Sequence, residues 1–208
     1  MTIATYATLK TAVANFLSRS DLTSRIPEFI ELAEDLIAND KRFRIRPAET
    51  AADVTVSAQT AALPTRFLAL RRLYLNTSPI SLLEYLSPEN FWRKWTGSRT
   101  GQPKAFTIEG ENFVFGPAPD SSYTAKCLYW QRFAALSADA DTNWLLTNAR
   151  GAYLYGALIQ AAPYIGNDPR LTTWSALFDD VMNKLDESNR QDRYPRGGLR
   201  AMPDFQGP

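Results

Sequence analysis

Histidine is absent from this sequence, and cysteine occurs once, at Cys127. Those two counts remove most of the usual chemistry. Histidine is the commonest general base, the usual activator of a serine or cysteine nucleophile, and the commonest metal ligand. With one cysteine and no histidine, neither a zinc site nor a Ser-His-Asp triad can be assembled, and no disulfide can form within the chain. Cys127 stands in the apolar run Cys127-Leu128-Tyr129-Trp130, which reads as a small buried core residue rather than a reactive thiol. No glycine-rich phosphate loop with a following Lys-Ser or Lys-Thr occurs, and no dinucleotide fingerprint follows a strand. The expectation is a chain with no catalytic residues, no metal and no cofactor.

Carboxylates are the acid-base groups that remain. Asp139 and Asp141 fall in a polar loop, and Glu31, Glu34 and Asp35 fall on a helix surface. By residue type such pairs suit two-carboxylate glycoside hydrolysis, which keeps a peptidoglycan hydrolase as the alternative function. Both clusters read more simply as a solvated loop and a solvated helix face. Lys41-Arg42-Phe43-Arg44-Ile45-Arg46 is the densest basic run, and its mixture of aromatic and basic residues is one that a nucleic-acid surface uses. With Asp35 and Asp40 close by, solvent-facing strand residues or salt bridges between subunits fit it better. Trp92, Trp95, Trp130, Trp144 and Trp174 read as core and interface anchors.

The elements that must position these groups come in three blocks. The 208 residues, 45% hydrophobic and 22% charged, suffice for one good-sized core. A net charge of +1 shows no basic excess directed at nucleic acid. No secretion signal is expected at the N-terminus, and the longest apolar run, about a dozen residues, is too short to span a bilayer. Tyr6, Leu9, Val13, Phe16 and Leu17 follow helical spacing, as do Phe29, Ile30, Ala33, Leu36 and Ile37 after Pro27. From residue 43 the texture alternates: strands are predicted at Phe43 to Arg46, at Val54 to Val56 and at Leu73 to Leu75, with residues 80–83 pairing back. Ser87-Pro88-Glu89 starts a short helix. A hairpin turns around Glu109 to Asn112, and residues 123–130 form a further strand. The chain then returns to helix at about 148–162 and again after Asp168-Pro169.

The fold expected is α+β, mainly α: a helical body formed from both chain ends, an inserted small antiparallel β region, and an extended C-terminal arm. Residues 1–189 form a single domain, with helices over 5–40 and 143–187 and the β insert over about 43–130. Residues 190–208 form the arm, because apolar residues nearly vanish after Ser188 and such a tail has no core of its own. The stretch 142–164 stands out. Between Ala152 and Ala162 only Gln160 is strongly polar, and a helix apolar on every side needs partners on every side. It is either the central helix of the chain's own core or a helix shared with a neighbouring subunit. In the second case Ala152, Gly156, Ala157, Gln160 and Ala161 form the subunit interface.

Several segments, in order over nearly the whole chain, carry a resemblance. They are TYATLKTAVANFLSRSDLTSRIPEFIELAEDLI, LPTRFLALRRLYL, SPENFWRKW, GQPKAFTIEG with GPAPDSSY, TNWLLTNARGAYLYGALIQAAPY, DPRLTTWSALFDDVMNKL and GGLR. TNWLLT followed by YLYGAL and AAPY is the most specific. The chain resembles the tailed-phage head-to-tail adaptor (connector) proteins, the group related to podovirus tail accessory factors and tail tubular protein A. The resemblance implies a structural virion protein assembled in the host cytoplasm. It implies a homo-oligomeric ring, usually of twelve copies, beneath the portal protein at the head vertex. Such a ring closes the filled head, receives the downstream tail or nozzle protein, and passes double-stranded DNA without reading its sequence; no membrane is involved. It also implies an arm that reaches onto the portal, matched here by Arg190, Arg193, Tyr194, Arg196, Arg200 and Phe205. The family carries no catalytic motif to transfer.

Overall fold

A computed structural model describes residues 2–97, 99–166 and 168–193. The first helix, α1 (Tyr6–Leu17), begins at a capping box: Thr8 donates its backbone N–H to the Thr5 hydroxyl, and Thr5 donates its own to Thr8 Oγ1 at 2.9 Å. Ser18 ends it in the left-handed conformation. Tyr6, Leu9, Val13 and Leu17 are buried at helical spacing, whereas Phe16 lies off that stripe and is 45% exposed. A 3₁₀ turn leads into α2 (Ile26–Asn39), with Pro27 in its first turn. The strand predicted at Phe43 to Arg46 is two 3₁₀ turns, Lys41–Phe43 and Arg46–Ala48. Phe43 and Ile45 are buried as alternation requires, but the Asp40 cap coils the chain at one end and Pro47 withholds a ladder N–H at the other.

Next come β1 (Glu49–Val56), β2 (Thr60–Ala62), β3 (Phe67–Leu75), β4 (Ser81–Leu82), β5 (Glu84–Tyr85), α3 (Pro88–Lys94), β6 (Ala105–Glu109), β7 (Asn112–Gly116) and β8 (Tyr123–Gln131). The expected small antiparallel region is in fact two four-stranded sheets, ordered β1-β8-β3-β4 and β2-β7-β6-β5, with β5 and β6 parallel. Their inner faces share one core, in which Val56, Leu75, Phe113, Phe115, Ala125 and Cys127 are fully buried. Burial pushes the Cys127 thiol up to about 12, as the core reading of the sequence requires. Gly110, at φ 58, makes the β6–β7 turn. At Gly116 any Cβ would lie 2.6 Å from the Trp95 ring, so the end of β7 is held against α3 by the lack of a side chain.

The chain then re-enters the helical body through α4 (Trp144–Asn148), α5 (Arg150–Gln160), α6 (Ala162–Ile165) and α7 (Arg170–Arg193). The single helix expected over 148–162 is broken at Ala149, whose backbone is not helical, and at Ala161 ahead of Pro163. α5 packs against α1, α2 and α7. Ala152, Gly156, Ala157 and Ala161 are buried inside this one chain. A Cβ on Gly156 would sit 3.1 Å from Ala33 Cβ and 3.5 Å from the Phe178 ring. The neighbour that Gly156 admits within the chain is therefore α2. Of the five expected interface residues, Gln160 alone is half-exposed. α7 also runs past residue 187 to Arg193, so the first residues assigned to the arm are helical. Among the described residues no helix is long and apolar enough to cross a membrane.

Gly156→Val places two methyl groups where α2 already stands. Overpacking of this kind costs about 1–3 kcal/mol, so the urea midpoint falls with the slope unchanged. An unchanged midpoint would mean that α5 and α2 are not in close contact.

Candidate functional site

Of the carboxylates that could have carried hydrolysis, Asp139, Asp141, Glu34 and Asp35 are engaged in holding the body together. Asp139 pairs with Lys10 at 2.6 Å. The backbone carbonyls of Asp141 and Asp139 accept the Tyr6 and Ala7 N–H groups at 2.9 and 3.1 Å, which satisfies free donors at the start of α1. The Asp141 side chain accepts from the Ala138 and Ser137 N–H groups at 2.7 and 2.9 Å, and those bonds hold its carboxyl below the usual range. The polar loop of the sequence is thus a folded cap on the first helix.

Glu31, Glu34 and Asp35 line a cleft of about 200 Å³ together with Phe43, Arg132 and Tyr153. Glu34 is not solvated as a helix-face residue would be. It accepts the Leu136 N–H at 3.0 Å and the Tyr153 hydroxyl at 3.3 Å. Asn143 donates to the Tyr153 oxygen at 2.7 Å and to the Ala134 carbonyl at 3.0 Å, and accepts the Leu146 N–H at 2.9 Å as the N-cap of α4. Asp35 is paired with Arg132 at 2.5 Å. Burial raises the carboxyl of Glu34 and, more strongly, the phenol of Tyr153. This network ties α2, α4, α5 and the strand-to-helix connection into one unit. Its members come from the middle of α2 and from residues 134–153, about a hundred positions or more apart, so neither stretch signals the pairing by itself.

The basic run is a latch on α7. The Arg42 guanidinium bonds to Asp40 at 2.6 Å, to Asp179 at 2.9 Å and to Asn183 at 3.0 Å. Asn189 accepts the Arg46 N–H at 2.9 Å and donates to the Arg44 carbonyl at 3.1 Å. Among buried side chains Asn189 is one of the few that is polar, and it explains why α7 continues where apolar residues stop. In the run expected to face solvent or to bridge subunits, Arg42 is bonded within the chain.

The expected arm divides. Arg190 is a helix residue paired with Asp186 at 2.7 Å, and Arg193 is the last residue of α7. Tyr194, Arg196, Arg200 and Phe205 lie outside the described residues. Surface that the sequence reading missed is apolar: Ile80, Leu82 and Tyr85 are 61%, 72% and 58% exposed around β4 and β5. They flank or lie on two two-residue strands, with Leu83 between them buried. A patch of this kind on a soluble protein marks a place of contact.

A family model described as SU10 adaptor protein matches residues 4–201. No curated protein matches the chain.

Because Glu34 binds its proton more tightly when folded than when unfolded, its contribution to stability is present at low pH. That contribution is lost as pH rises from the ordinary value of 4.5 through the raised one. In Glu34→Gln the loss disappears. Thermal midpoints followed from about pH 4 to about pH 8 therefore fall less for the variant than for the natural chain, and parallel profiles would show that Glu34 is solvated.

Proposed function

Since the chain belongs to the SU10 adaptor protein family, we propose that it is the subunit of a ring that joins the portal at a phage head vertex to the tail. The ring closes the filled head, docks the next tail component and leaves a channel for double-stranded DNA. The observation that carries this reading is the extent of the family match, residues 4–201, which takes in both the helical body and the β region. The absence of histidine and the engagement of Asp139, Asp141, Glu34 and Asp35 in structural bonds favour an assembly role over hydrolysis.

Twelve copies are the stoichiometry that the family resemblance implies. The arm of this reading is residues 194–208, with Tyr194, Arg196, Arg200 and Phe205 as portal contacts. Arg190 and Arg193 extend α7 and set the direction in which the arm leaves. α7 is fixed to the body by Asn189 and Arg42, so it offers the arm a rigid base.

Sedimentation of the purified chain, alone and with purified portal, tests the proposal. Large discrete assemblies support it, and a chain that stays monomeric in both settings overturns it. A second expectation concerns the arm. Removing residues 194–208 leaves the melting curve of the body in place, because the core of the described residues is complete without them. The same truncation weakens binding to the portal by about tenfold or more. Undiminished binding would take the arm out of the account.

A further inference from the structure

The first sheet, β1-β8-β3-β4, has two incompletely covered edges. β1 pairs with β8 from Glu49 to Val56, and among the described residues no strand pairs with its other side. β3 pairs with β8 along its length but with β4 only at Tyr74 and Leu75. The Leu73 carbonyl accepts the Leu83 N–H at 3.5 Å, and ahead of Leu73 no strand among the described residues covers the outer edge.

Each bare edge opens into a cleft. Residues 70–73 line one of about 590 Å³, with Leu82 and Tyr85 also in its wall. Residues 52–55 line the other, of about 410 Å³, whose far wall is the chain's own Ala61, Ala62, Pro64 and Thr65. Successive residues of a strand point to opposite faces, so the run 52–55 lines its cleft along the edge of β1, whereas on β3 register shifts at Phe67/Ala69 and at Leu70/Arg72 interrupt the alternation. Unpaired edges of this kind are templates for another strand.

The two edges are complementary in charge. β1 carries Glu49 and Asp53 and no base, and β3 carries Arg71 and Arg72 and no acid. Glu49 and Arg71 already pair within the chain. Asp53 touches Lys126, yet its side chain is 60% exposed. Arg72 is exposed, lies over the Tyr74 ring at 5.1 Å, and has no carboxylate partner among the described residues.

We infer that β1 of one copy adds to the open edge of β3 in the next, with Asp53 of one copy set against Arg72 of its neighbour. The occupant is a second copy because β8 stands between the two edges and keeps them apart within one chain. An edge that paired with itself would stop at a dimer, whereas two different edges make a head-to-tail contact that repeats and can close into a ring. β1 and β3 are both antiparallel to β8, so they run in the same direction. Copies repeated by a rotation that keeps the strand direction then meet in a parallel pair. The exposed side chains of Leu82 and Tyr85 border this junction, which gives the contact an apolar component. The inference rests on the ring reading above and names the surface through which the ring closes.

Charge exchange tests it on the full chain, with assembly followed by sedimentation at low salt, alone and with portal. Asp53→Arg and Arg72→Asp each place like charges opposite one another, and each lowers the assembled fraction about tenfold or more. The double variant restores it to within about twofold of the natural chain. Melting curves of all three variants stay close to the natural one, because both sites are exposed. If the single variants assemble as the natural chain does, or the double variant does no better than the singles, the edge pairing is wrong while the ring stands. If the natural chain itself never assembles, both fall.

Discussion

The structure depends on one close approach, that of α5 to α2 at Gly156 and Ala33. Two helices come this near only where side chains are absent or small, and the Cβ that Gly156 lacks would stand 3.1 Å from Ala33. From that contact follows the burial of Phe29, Ile30 and Ile37 on one side, and of Trp174, Phe178 and Met182 on the other. Burying side chains of this size contributes about 1.5–3 kcal/mol each, which is far more than the exposed ion pairs around them contribute. The body is thus built from the two ends of the chain closing on a helix near its centre. The β region, whose termini lie side by side on β1 and β8, is carried as an insert.

Polar contacts then fix what the apolar core leaves free. Glu34, Tyr153 and Asn143 join the connection out of β8 to the helical body. Arg42 and Asn189 bind the far half of α7. A buried hydrogen bond adds little net free energy but costs more when one partner is removed, so these contacts give direction as much as stability.

Much of this was legible in the sequence. The α+β plan, the helical pair at the start, β1, β3, β8 and the β6–β7 hairpin follow from periodicity and turn residues, because each is stabilised by its own apolar face. What escaped had another physical origin. Phe43 to Arg46 alternates like a strand, yet Asp40 and Pro47 bend it into turns. α7 outlasts its apolar stripe because Asn189 and Arg42 anchor it through polar bonds made to residues 140 or so positions away. The small residues of α5 announce a close neighbour without saying whose, and at Gly156 the neighbour within the chain is α2. The exposed edges of β1 and β3 were invisible for a further reason: an open edge is a missing partner, and pattern reports only which side chains point together.

The account stands or falls on assembly, and electron microscopy of the chain mixed with portal looks at it most directly. It predicts a ring of identical copies seated on the portal, with an open axial channel and with the sheets of successive copies joined edge to edge. Isolated single copies, or portal particles with no added ring, would contradict it.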